Sequence, residues 1–225
     1  TRLGAKQPEL PPQEELHSAG ECAVVLYTGG TTGRPRGVML SDSNIDASAR
    51  QTQLQGPVLP GQRLLSVVPF SHGMGLGISV HSVVVSAAES IVVPHYTFRS
   101  IVKTFRRKHP DYLTGVPSFY AGLLADRKFH RTRLACLMAA FCGGDRLPAH
   151  VRDLFEITVR RRGGAVPLRE GYGLTETVTA CATAPDGASR PGSVGVPYPD
   201  TDIRIVATDG SERLTALEPG ELGEI

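Results

Sequence analysis

Paired cysteines are missing from this 225-residue sequence. Its four cysteines, Cys22, Cys136, Cys142 and Cys181, form no CxxC pair, and no two histidines stand at zinc-finger spacing. That argues against a disulfide scaffold and a structural zinc site. Cys22 and Cys136 lie in apolar runs, where a free cysteine behaves as a small hydrophobe. All four read as reduced thiols of a cytoplasmic protein. A charge excess is missing too. The 24 Lys and Arg stand against 22 Asp and Glu, a formal net charge of +2, which gives no support to nucleic-acid binding. The basic clusters Arg106-Arg107-Lys108 and Arg160-Arg161-Arg162 fall late in expected helices, where cations suit the helix dipole. No hydrophobic run is long enough for a membrane span. The weakly charged stretch 73–88 is broken by His81 and several serines and closes at Glu89, so a buried helix is expected there. The first residues are polar and proline-rich, without the apolar core of a secretory signal. What remains, 40% hydrophobic and 20% charged residues, is the balance of a soluble globular protein rather than a disordered one.

Residues 1–20, with Pro8, Pro11 and Pro12, read as a linker or irregular surface segment. Residues 21–60 read as a strand (22–27), a loop (28–37) and a helix capped by Ser41, Asp42 or Ser43. Residues 61–184 alternate. Strands are expected at 64–68, 90–93, 111–116, 134–141 and 166–173. Helices are expected at 75–88, 98–108, 118–125 (opened by Pro117) and 148–161. This predicts an α/β fold of parallel βαβ units with helices flanking the sheet. In such sheets ligands bind beyond the carboxyl ends of the strands, and the loops at Thr28, Pro69, Cys142 and Gly171 all follow strands. Residues 185–225 change texture, to short β-like pieces punctuated by Gly and Pro.

The loop Tyr27-Thr-Gly-Gly-Thr-Thr-Gly-Arg-Pro-Arg-Gly37 is the strongest motif. Its glycines let the backbone wrap closely around a ligand. Successive N–H groups and the hydroxyls of Thr28, Thr31 and Thr32 can donate to phosphate oxygens, while Arg34 and Arg36 add positive charge. No Lys-Ser/Thr pair closes it, so it is not the P-loop of NTPases. The bland alternative is a glycine-rich hairpin.

TGGTTGRPRGV resembles the signature loop of the adenylate-forming enzymes: acyl-CoA synthetases, luciferases and peptide-synthetase adenylation domains. Further segments resemble that family in the same order: PFSHGMG (69–75), GVPSFY (115–120), CGGDRLP (142–148), GYGLTET (171–177), then PGSVGVPYPDTDIRIV and PGELGEI. The resemblance implies the large domain of that family, followed by the start of a β-barrel subdomain. It also implies site roles. Thr28, Gly29, Gly30, Thr31, Thr32, Gly33 and Arg36 would cradle the β- and γ-phosphates of ATP. Gly143 and Gly144 would pack against the nucleotide, and Tyr172, followed by Gly173, would stack on adenine. Thr175 would bond the α-phosphate, Glu176 would bind Mg²⁺, and His72 would sit beside the substrate carboxylate. Two positions depart from the pattern: Gly29 stands where the family has Ser, and Arg36 where it has Lys. Taken singly, His72, Tyr172 and Glu176 would each read as structural residues; the ordered set of motifs favours the functional reading.

The implied reaction is attack of a carboxylate on the α-phosphorus of ATP. Pyrophosphate leaves, and the acyl group then passes to coenzyme A or to a carrier-protein phosphopantetheine. The family's ribose-binding aspartate and lysine-bearing terminal domain are not found in these residues. The expectation is therefore a central fragment that is inactive alone and self-associates through exposed sheet edges. A non-catalytic nucleotide- or acyl-binding module of the same fold remains the alternative. The pocket-side segments carry no charged residue placed to grip an α-ammonium apart from Asp145, which tilts the reading toward a fatty or aryl acid.

Overall fold

A computed structural model describes residues 18–28, 35–56, 58–207 and 215–225. Strand β1 (Cys22–Thr28) pairs antiparallel with β2 (Arg36–Ser41), Tyr27 opposite Gly37 and Val25 opposite Met39. The sequence reading assigned 28–37 to one loop; its last residues instead open β2. The reason lies in Val38 and Leu40, which alternate with exposed neighbours and pack with Leu26 and Val178 in a small core. Ser41 caps helix α1 (Asp42–Gln55): its Oγ accepts from the Asn44 N–H at 3.2 Å, while Asn44 Oδ1 accepts from the Ser41 N–H at 3.0 Å. This is a reciprocal capping box.

The main sheet has seven strands in the order β4-β3-β5-β6-β7-β8-β9. These are β3 (Arg63–Ser66), β4 (Glu89–Val92), β5 (Tyr112–Gly115), β6 (Ala139–Cys142), β7 (Leu168–Gly173), β8 (Ala180–Thr183) and β9 (Val196–Pro197). From β4 to β7 the pairing is parallel, as the alternating pattern predicts. The final two pairings, β7–β8 and β8–β9, are antiparallel. The sequence reading missed β8, whose Ala-Cys-Ala-Thr run has weak strand propensity. Residues 134–138, expected to begin β6, form an apolar turn instead. Its backbone is tied down by hydrogen bonds from Leu134 to Arg162 (2.9 Å) and from Met138 to Asp111 (2.8 Å). Beyond β9, Val206 makes isolated bridges to Ala216 and Glu224. Apart from β9, these bridges are the only β pairing among the described residues of 185–225, and no barrel is formed among them.

The period-two alternation of the strands divides the core. Leu65, Leu113, Ala140 and Leu168 are register neighbours on one face. They pack on helices α3 (Phe98–Lys108), α4 (Pro117–Ala125) and α5 (Ala149–Arg161), through Ile101, Phe105, Tyr120, Phe155 and Val159. Thr97 caps α3, and Pro117 opens α4 at its first turn. Both basic clusters fall in the last turns of α3 and α5 as expected, except Arg162, which is the C-cap residue of α5.

The other sheet face carries Leu64, Tyr112, Thr114, Phe141 and Arg169, again in register. It faces α1 and a helical stretch, Gly75–Ser82, that continues into helix α2 (Val83–Val85). The expected buried helix at 75–88 is thus present, but its first eight residues are π-helical. Its contact with α1 is polar: Gln53 Nε2 donates to the Ser82 carbonyl at 3.4 Å. No helix among the described residues is long and apolar enough to cross a membrane. Cys142 and Cys181 are buried, whereas Cys22, expected within an apolar run, is exposed because it opens the hairpin strand.

Candidate active site

Between this second sheet face and the α1–π-helix pair lies a cavity of about 730 Å³. It opens at the carboxyl ends of β5, β6 and β7, the position expected for a parallel sheet. The described candidate residues converge on it from distant parts of the chain. Thr28 and Arg36, facing each other across the hairpin, line its mouth together with His72. Gly143 and Gly144 line it at the end of β6, and Tyr172, Gly173, Thr175 and Glu176 at the end of β7. Gly29, Gly30, Thr31, Thr32 and Gly33 lie outside the described residues.

Bare backbone shapes the mouth. A Cβ at Gly143 would stand 3.2 Å from the Gly171 carbonyl oxygen and 3.3 Å from Met74 Cε. Gly144 has φ +80°, where any side chain is strained. The Tyr172 ring is half-buried, and burial, reinforced by Cys181 and Glu176, raises its phenol above the ordinary tyrosine value. It therefore presents a neutral aromatic face, suited to stacking.

A strained turn holds Thr175 and Glu176. They form a short 3₁₀ turn, Thr175–Thr177, pinned by Thr177 Oγ1. That hydroxyl accepts from the Leu174 N–H at 3.0 Å and donates to the Thr179 carbonyl at 2.8 Å. The Thr179 N–H donates to the Thr177 carbonyl at 2.7 Å, closing a three-residue turn around Val178, which has φ 65° and ψ −54°. Such γ-turn geometry is rare for a β-branched residue and costs on the order of 1–3 kcal/mol. Burial of Val178 against Leu26 and Leu40 offsets it. The result is an exposed Glu176 carboxylate, with no ion-pair partner among the described residues, beside a half-buried Thr175 hydroxyl.

His72 is also partly explained by structure. Its Nδ1 accepts from the Met74 N–H at 3.1 Å. The neutral ring then carries its proton on Nε2, free to donate to an acidic ligand. Cys142 lines the cavity as well, but burial, with Glu170 and Asp145 adding to it, pushes its thiol up to about 12. A thiol so protonated is no nucleophile, in keeping with the absence of a partner pattern in the sequence.

Comparison with known proteins gives one family. The profile of the AMP-binding enzymes matches residues 2–225. The chain belongs to that family. It is 32% identical over 218 residues to a long-chain-fatty-acid–CoA ligase of Bacillus subtilis, covering 96% of this chain and 37% of that one. It is 29% identical over 229 residues to a long-chain-fatty-acid–CoA ligase of Escherichia coli O157:H7, covering 100% of this chain and 38% of that one. The fold superposes on the crystal structure of ATP-bound MatB from Rhodopseudomonas palustris with a TM-score of 0.79 at 25% identity, over 92% of this chain and 39% of that one. The chain thus spans well under half the length of these relatives. Its α/β core, with the sheet turning antiparallel at β8, thus has the fold of that solved relative.

Sequence reasoning missed the inner wall. Val58, Leu64, Ile78, Tyr112 and Phe141 line the deep part of the cavity. In sequence they look like ordinary core residues. For Leu64, Tyr112 and Phe141 the separating signal is their alternation with Leu65, Leu113 and Ala140, which belong to the closed face; Val58 and Ile78 lie outside the strands and carry no such signal.

Proposed function

We propose that this chain forms the nucleotide- and acid-binding part of an AMP-forming acid–thiol ligase. The reaction would join a carboxylate to AMP, release pyrophosphate, and hand the acyl group to coenzyme A or a phosphopantetheine thiol. The observation that carries this reading is convergence: every described candidate from the separate motifs lines one cavity.

The residues present fit MgATP as substrate. The Gly143–Gly144 backbone and the neutral Tyr172 ring, which line the same cavity, would hold a flat base. The Glu176 carboxylate suits a hard dication. Mg²⁺ would shield the phosphates from the approaching anion. Thr175 would hold the α-phosphate, and Thr28 and Arg36, with the 29–34 residues between them, would bind the outer phosphates. His72 would donate Nε2–H to the acid and so orient it without competing for the reacting oxygen. Below the mouth the wall is apolar, which supports a fatty or aryl acid rather than an amino acid. Family kinship and buried protonated thiols support a cytoplasmic enzyme of acyl metabolism.

Pyrophosphate exchange by the full-length protein, screened over fatty, aryl and amino acids, tests this. Exchange that depends on MgATP and on one acid class is expected. Tight MgATP binding without exchange for any acid would favour the non-catalytic module instead.

A further inference from the structure

Behind the inner wall stands a buried cation that the catalytic reading does not use. Arg169 in β7 is 5% exposed. Its Nε donates to the Ala184 carbonyl at 2.6 Å, and Nη2 reaches the Gln55 carbonyl at 3.4 Å. Its guanidinium carbon lies 4.8 Å from the centre of the Phe141 ring, over its face. No carboxylate among the described residues stands within ion-pair distance of it. Desolvation lowers its pKa, and Asp186 and Tyr198 oppose that from farther away. A buried, unpaired guanidinium is costly, and here the return is geometric. One side chain ties together β7, the end of α1, the strand end at Ala184 and the ring of β6.

Phe141 is where this matters. It sits on β6, two residues before Gly143, so about 7 Å back along the chain from the proposed nucleotide slot. Thr114, its register partner on β5, also lines the cavity. From the α1 side the ring is blocked at Gly56, where a Cβ would come within 3.1 Å of Phe141 Cζ. The ring is therefore clamped between Arg169 and the end of α1, with its remaining surface turned to the acid compartment.

We infer that Arg169 is a positioning residue that holds Phe141 as the fixed inner wall and so limits the size of acid the compartment takes. This rests on the ligase reading above. Replacing Arg169 by Met removes the guanidinium, and with it the planar clamp and both carbonyl hydrogen bonds, and keeps only an apolar stem. The freed ring can swing toward the vacated space and deepen the compartment.

The test uses the full-length enzyme, with acids of increasing length or ring substitution, in wild type, Arg169→Met, Arg169→Lys and Phe141→Leu. For Arg169→Met the ratio of kcat/KM for larger over smaller acids should rise about tenfold, the scale of one or two methylenes. KM for MgATP should stay put. Phe141→Leu should shift the same ratio in the same direction with Arg169 intact. Arg169→Lys keeps charge without a planar fork and should shift the ratio less than Met does. ¹⁹F spectra of fluorophenylalanine-labelled protein, with Phe141 assigned by Phe141→Leu, should show that resonance moved in Arg169→Met, which a mere fold defect would not confine to one ring. An unchanged acid ratio in a folded, active Arg169→Met enzyme overturns the inference and leaves the ligase reading intact. Wild-type enzyme inert toward every acid removes both together.

Discussion

The Tyr120 hydroxyl donates a 2.7 Å hydrogen bond to the carbonyl oxygen of Phe141. It links helix α4, on the closed face of the sheet, to the strand residue whose ring lines the cavity on the other. Tyr120 itself is fully buried and stacks edge-on against Phe119 and Phe155. Tyr120→Phe keeps that packing and orphans one buried acceptor. A loss of about 1–2 kcal/mol is expected, read as a lower urea midpoint at unchanged slope.

Alkaline pH should weaken the fold. Burial pushes the Cys142 thiol and the Tyr198 phenol each up to about 12. Below their ordinary values of 9.0 and 10.0 both groups hold their protons in either state, so stability is flat. Above them the unfolded chain releases protons that the folded one retains, and stability falls, by at most about 1.4 kcal/mol per pH unit per group. The loss should run from roughly pH 9 to 12. Cys142→Ala should make the loss above pH 9 shallower, by at most about 1.4 kcal/mol per pH unit, without moving its onset, because burial raises the Cys136 and Cys181 thiols as well; chemical denaturation across pH follows it. In the native protein at pH 8, exposed Cys22 should take up maleimide far faster than buried Cys142.

Helices α3 and α4 were legible almost to the residue, because Thr97 and Pro117 mark their starts and the apolar positions recur at helical spacing. The elements that were not legible share a cause. In β2, Val38 and Leu40 follow a Gly/Arg-rich run whose composition reads as loop. In 134–138, buried Leu134 and Leu137 continue the apolar run of β6 though their backbone turns. The π-helix differs from an α-helix only in hydrogen-bond register, to which the apolar pattern at 75–82 is blind. For the site, the mouth was readable from glycines and hydroxyls. The floor was not, since Leu64 and Leu65 are alike in type and only the sheet decides which faces the cavity.

Glu176→Gln should separate charge from shape. The amide is nearly isosteric, and the side chain is exposed, so melting should be unaffected. A hard dication needs the carboxylate charge. Apparent Mg²⁺ affinity in pyrophosphate exchange should fall at least about tenfold, equivalent to ~1.4 kcal/mol. Wild-type turnover at limiting Mg²⁺ would remove Glu176 as the ligand.

The contact between Gly73 and Val178 leaves no room for a side chain. A Cβ on Gly73 would overlap the Val178 carbonyl oxygen and approach its carbon at 3.1 Å, with Leu26 Cδ1 at 3.9 Å. Backbone cannot rotate away as a side chain does, so either the strained turn or the segment carrying His72 must move. The turn carries Thr175 and Glu176, and the neighbouring segment carries His72, so displacing either misaligns the groups proposed for phosphate and acid. Misplacement by even an ångström costs on the order of 100-fold in rate when positioning supplies the catalysis. Gly73→Ala should therefore lower kcat/KM by about that factor and cost on the order of 1–3 kcal/mol in stability. Gly20→Ala, at a position with nothing within 4 Å of the added carbon, is the matched control and should change neither. Equal activities for the two variants would mean that the turn around Val178 yields, and that its strain does not hold the site.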